Sequence, residues 1–132
     1  MKNYLADTTV IIDHLRGDKR ATVFLEAFNP QISIVTVAES IQGSKDKREQ
    51  ALALKICESL LVLNVSGKIS ALAIELMKKF YLSSGLKFLD ALIAATALET
   101  KLVLVTSNLK HFRFIKGLEV ISQKEAFAMS LK

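Results

Sequence analysis

Short apolar runs alternate along this chain with longer stretches in which apolar residues recur every three or four positions. Tyr4-Leu5-Ala6 predicts a short strand ending at Asp7, and Thr8 to Leu15 predicts a helix stopped by Gly17. A second helix is expected from Lys19 to Phe28, closed by Asn29-Pro30. Gln31 to Val35 is rich in β-branched residues and predicts a strand, after which Thr36 can cap a helix carrying Val37, Ala38, Glu39 and Ile41. Asp46 to Leu60 repeats its apolar positions at helical spacing. Leu61 to Val65 predicts a strand, and Ser66 can cap a long helix from Lys68 to about Leu82. Asp90 to Thr100 predicts a helix that is apolar all round, Leu102 to Thr106 an almost purely apolar strand, and Leu118 to Ile121 a last short strand.

Strands separated by helices imply βαβ units and a parallel sheet. Leu102-Val103-Leu104-Val105 is apolar on both faces, as a central strand covered by helices on each side would be. The expected class is α/β: a three-layer α/β/α sandwich with a central, mostly parallel sheet, formed by residues 1–132 as one domain. Hydrophobic residues make up 51% of the 132, enough for one sizeable core, and with five Gly and one Pro no flexible linker divides the chain. No apolar run reaches the length of a membrane span, and Asp7 and Asp13 interrupt the apolar N-terminus, which does not read as a signal peptide. The lone Cys57 falls in a helical pattern and reads as a small buried hydrophobe, which points to a reducing cytoplasmic setting.

In parallel α/β sheets ligands bind beyond the carboxyl ends of the strands, so the polar residues directly after the strands are the candidates. Asp7 follows the first strand, Glu39 lies in the first turn of the helix after the second, and Asp90 opens the apolar helix. Thr106-Ser107-Asn108 leaves the strand that starts at Leu102. Taken singly, Asp7 or Asp90 could be a helix cap, Glu39 a partner of a helix dipole, and Asn108 a turn residue. Together, three carboxylates and an amide fall where one edge of one sheet would gather them, and like charges so placed repel unless a cation lies between them. Oxygen-only ligands favour Mg²⁺ or Mn²⁺ over zinc, and the only histidines, His14 and His111, form no cluster with Cys57. Such a site suits phosphodiester hydrolysis. The net charge of +5 changes the picture further: with three acids in one pocket, 18 basic residues face ten remaining acids, a coat that attracts a polyanion.

Four motifs, in this order, resemble the PIN domain, in particular the VapC-type toxins of prokaryotic toxin–antitoxin pairs: Tyr4-Leu5-Ala6-Asp7-Thr8-Thr9; Val37-Ala38-Glu39 with Gly43; Leu89 to Ala97 around Asp90; and Leu104 to Phe112. The resemblance runs over nearly the whole chain. It implies an RNA endonuclease that hydrolyses phosphodiesters with a Mg²⁺-activated water, Mn²⁺ substituting. Asp7, Glu39 and Asp90 match the family's acids and metal ligands, with Thr8 and Thr106 as supporting hydroxyls. It also implies a homodimer silenced by a cognate antitoxin whose tail enters the active site. One departure stands out. Many relatives carry a fourth acid in the last motif, where this chain has Asn108 and, three residues on, His111. Asn108 keeps a neutral oxygen at the site, and His111 is expected to be an exposed turn residue, with a general base as the competing role. A PIN-like protein that binds RNA or a partner with little or no cleavage is therefore the alternative. A phospho-acceptor receiver domain is disfavoured by Asn64 where an acceptor Asp is needed, and a dehalogenase-like phosphatase by Thr9 two places after Asp7.

Overall fold

The computed structural model describes residues 3–131. Five strands, all parallel, lie in the order β3-β2-β1-β4-β5: β1 (Tyr4–Ala6), β2 (Ile32–Ser33), β3 (Val62–Leu63), β4 (Val103–Thr106) and β5 (Val120–Ser122). They form two ladders, β1-β4-β5 and β2-β3, joined by the bridge Leu5↔Gln31. Helices α1 (Thr8–Leu15), α2 (Lys19–Phe28), α3 (Ile34–Gln42), α4 (Lys47–Glu58), α5 (Gly67–Ser84), α6 (Phe88–Thr100) and α7 (Gln123–Ser130) connect and cover them, and a single 3-10 turn spans Leu109–His111. The order of strands reverses between β1 and β4. That is the topological switch point, where the connections leave in opposite directions and open a crevice at the carboxyl edge.

Alternation along each strand divides the core in two. Leu5 and Leu104 face Ile69, Ala73 and Leu76 of α5 and the small residues of α6. Tyr4, Ala6, Val103 and Val105 face Val10 and Ile11 of α1, Phe24 of α2, Cys57 of α4 and Phe127 of α7. The three-layer expectation is met. The all-apolar helix is buried as its pattern required: Ala91 to Ala97 are buried without a break, and its many alanines let it approach the sheet and α5 closely. Cys57 is a buried free thiol. Gly17, with φ +89°, and Gly85, with φ +69°, take the left-handed conformation that ends α1 and α5. No helix among the described residues is long and apolar enough to cross a membrane.

Several expectations need correction. The strand expected over Gln31–Val35 is only Ile32–Ser33, and α3 begins at Ile34, not after Thr36. Ser33, the last residue of the β2 ladder, is also the N-cap of α3, and its Oγ accepts from the Val35 N–H at 3.0 Å. The β-branched run Ile34-Val35-Thr36 then continues as helix because Val35 and Thr36 gain burial there, which outweighs a weak local strand preference. Glu39 consequently lies beyond the first turn of α3, too far along for the dipole role. The strand expected over Leu61–Val65 is reduced to Val62–Leu63 at the sheet edge. Helix α7 lies where no helix was expected, although Ser122 and Glu125 form a capping pair in sequence, and the Ser122 Oγ accepts from the Glu125 N–H at 3.1 Å.

Candidate active site at the carboxyl edge of the sheet

Asp7 is the first residue past β1, and its N–H still bonds the Val105 carbonyl at 2.9 Å, which fixes its backbone in the ladder. It combines the cap role and the site role. Its Oδ1 accepts from the Thr8 N–H at 2.8 Å and so caps α1, and its Oδ2 accepts from the Thr106 hydroxyl at 2.7 Å. Thr106 ends the neighbouring strand, 99 residues away in sequence, and its oxygen accepts in turn from the Asn108 N–H at 3.0 Å. Asp7 is only 5% exposed. Burial pushes its carboxyl up to about 6. The bonds from Thr106 and Thr8 oppose that shift, and the nearby Asp90 and Glu39 charges add to it.

Glu39 is reached through α3. Its Oε1 accepts from the Thr8 hydroxyl at 2.5 Å, and the Thr8 and Thr36 hydroxyls lie 3.0 Å apart. Thr8 thus gives its N–H to one carboxylate and its O–H to the next. Asp90 is the third residue of α6, after the N-cap Lys87, which makes no side-chain cap bond; the cap reading of Asp90 fails, whereas that of Asp7 holds. Burial raises the Asp90 carboxyl above the ordinary range, His111 pulls it down, Glu39 pushes it up and Lys87 lowers it. His111 is exposed in the 3-10 turn, as expected, yet its Nδ1 stands 3.6 Å from the Asp90 Oδ2. Asn108 precedes that turn, half-buried.

The fold therefore brings Asp7, Glu39, Asp90, Thr8, Thr106 and Asn108 to one edge, with His111 beside Asp90. Sequence reasoning missed two further hydroxyls. Thr36, expected as a cap, is instead a wholly buried neighbour of Thr8. Thr9 accepts from the Ser107 N–H at 3.2 Å and ties the α1 start to the end of β4. The spacing of Thr36, Glu39 and Ser40 on one helical face is the sign that could have found the first; Thr9 carries no such sign.

The donor set is oxygen only, and the mutual repulsion registered at Asp7 and Asp90 is what a hard divalent cation relieves, so the chemistry of these residues fits one. As placed, no group of three or more His, Cys, Asp or Glu side chains among the described residues could hold a metal ion, so Asp7, Glu39 and Asp90 would have to draw together around one.

Comparison with known proteins agrees with this geometry. The family model described as PIN domain matches residues 4–117. Ribonuclease VapC19 of Mycobacterium tuberculosis is 29% identical over 121 residues, covering 87% of this chain and 96% of that protein. A toxin–antitoxin complex from Klebsiella pneumoniae contains a chain with 30% identity and a TM-score of 0.77, covering 92% of this chain and 98% of that one. VapBC2 from Rickettsia felis, bound to a promoter DNA fragment, gives 26% identity and a TM-score of 0.76 over 90% of this chain and 97% of that one. With the family model spanning β1 to the loop beyond β4, and with the acids at the switch point of the sheet, this chain belongs to the PIN-domain family, among relatives of the VapC ribonuclease type.

Proposed function

We propose that the chain is a Mg²⁺-dependent endoribonuclease of the VapC kind, with Mn²⁺ able to substitute. The single observation that carries the reading is the convergence of three carboxylates from β1, α3 and α6 with Thr8 bridging two of them. Asp7, Glu39 and Asp90 would hold the cation, which supplies when bound the activation of a water and the neutralisation of charge on the phosphodiester. The chain's own residues do the rest. Thr106 and the Thr8 N–H fix the Asp7 carboxylate, so it needs little reordering on loading. Thr8 aims Glu39. Asn108 offers a neutral amide oxygen at the rim where a fourth acid is absent, and His111 steadies Asp90. The relatives in toxin–antitoxin complexes support a cognate antitoxin as partner, and we propose a homodimer in the cytoplasm as its working form.

The test is incubation with structured RNA, with and without Mg²⁺ or Mn²⁺, beside Asp90→Asn. Cleavage by wild type that requires the cation, and its loss in a folded Asp90→Asn protein, is the expected result. Equal cleavage by the variant would show that the site is misplaced. RNA binding with no cleavage under either cation would favour the binding-only alternative, to which the neutral fourth position lends its weight.

A further inference from the structure

An open cleft of about 270 Å³ lies beside Asp90, between the end of α5, the start of α6 and the 3-10 turn; Ser84, Lys87, Asp90, Lys110 and His111 are among its walls. Two cations from different elements line it. Lys87 is the N-cap residue of α6, but its side chain makes no cap bond, and Lys110 is the middle residue of the 3-10 turn. Both are exposed, and neither has an ion-pair partner among the described residues, where the pairs are Arg20–Asp18, Lys78–Glu75 and His111–Asp90. A polyanion approaching three carboxylates is repelled, so a strand seated there needs positive charge close by that the acids have not consumed. His111 is engaged with Asp90. Lys87 also lowers the Asp90 carboxyl from a distance, but among the described residues neither it nor Lys110 is held in an ion pair.

We infer that this cleft is a phosphate subsite: Lys87 and Lys110 together bind the RNA backbone at a phosphate next to the one placed on the Asp7, Glu39 and Asp90 centre. The inference rests on the ribonuclease reading of that centre. This wall adjoins Asp90, within reach of a neighbouring phosphate of a strand seated there, and lysine ammonium groups on flexible stems bind phosphate as point charges, without demanding a particular base. The subsite therefore contributes affinity and register, not sequence choice.

The experiment measures binding of a labelled single-stranded RNA in chelator, so that the strand stays intact, across a salt titration. It compares wild type, the double variant Lys87→Gln/Lys110→Gln, and Lys55→Gln on α4, which packs against the other core. The exposed positions leave the melting temperature unchanged, which verifies that the variants are folded. The double variant should bind at least roughly tenfold more weakly at low salt. Its log–log slope should flatten by about 1.4, since each lysine charge removed from a single strand's backbone lowers the slope by about 0.7. Lys55→Gln should match wild type. A double variant with wild-type affinity and slope overturns the subsite, as does a wild type that binds no RNA, or an effect no larger than that of Lys55→Gln. Cleavage assays separate the two readings. Wild-type cleavage with an unaltered double variant would sink the subsite and leave the nuclease standing. Lysine-dependent binding without cation-dependent cleavage would keep the subsite and sink the nuclease.

Discussion

Asp7 is held by a strand bond, a helix cap and a threonine hydroxyl, and is nevertheless costly to ionise. Its carboxyl is raised from 3.8 to about 6, chiefly because it is buried. The folded state thus binds the proton more tightly than the unfolded chain. The stabilisation is complete below about pH 4 and is lost as pH rises through about 6, a change on the order of 3 kcal/mol in the cation-free protein. Asp7→Asn has no charge to bury, and asparagine remains a good cap for α1. Urea unfolding in chelator should therefore show wild type falling behind Asp7→Asn between about pH 4 and pH 7. A difference between the two that stays flat across that window would mean that Asp7 ionises in the fold without penalty.

Helix α3 shows how the start of one element decides the identity of a site residue. With the cap at Ser33, the helix phase places Val35 in the core under α5 and α6, Thr36 against Thr8, and Glu39 at the sheet edge. A start three residues later would have rotated these positions away from their partners, because each residue turns the helix by about 100°. Ser33→Ala should cost about 1 kcal/mol, while Ser33→Thr, which keeps the capping oxygen, should recover most of it. Chemical denaturation of the three proteins measures this. Wild-type stability in Ser33→Ala would place the effective cap elsewhere. Helix α6 works differently. Asp90 needs no cap role because Lys87 begins the helix, and the unbroken burial of Ala91 to Ala97 anchors the turn from which Asp90 projects.

At the scale of the molecule, the chain carries a net charge of +5 while concentrating acids at the switch point of its sheet. The fold stores repulsion there and offsets it through core packing on both faces. A divalent cation that binds the folded chain alone then stabilises it by mass action. Mg²⁺ should raise the melting temperature of wild type, and should raise that of Asp90→Asn less. Without cation, Asp90→Asn should melt above wild type, since one of the repelling charges has gone. Thermal melts with and without Mg²⁺ read both effects; equal shifts in the two proteins would remove Asp90 from the cation site.

Most elements were legible because each obeyed a local rule. The apolar run at Leu102 and the alanine-rich stretch after Asp90 could bury all round only in the middle of a layered sheet, and Ser66, Asp46 and Gly17 marked helix ends where they stand. Asp7, Glu39 and Asp90 drew notice as candidates for a related reason: each is a charge set in apolar sequence close behind a strand or at the start of the apolar helix. Local pattern failed where tertiary burial overrode it. The β-branched residues after Ser33 became helix, β2 and β3 shrank to one two-residue ladder, and α7 packs Phe127 onto Phe24. Contacts across the sheet were beyond any spacing rule. The Thr106 hydroxyl meets Asp7 across 99 residues, Thr36 meets Thr8 across 28, and His111 faces Asp90 from a separate turn. Chain order names the candidate residues. Only the closing of β1 against β4 brings Thr106 to Asp7, and only the packing of α1 against α3 brings Thr8 to Glu39, because hydrogen bonds depend on distance in space and periodicity carries no record of it.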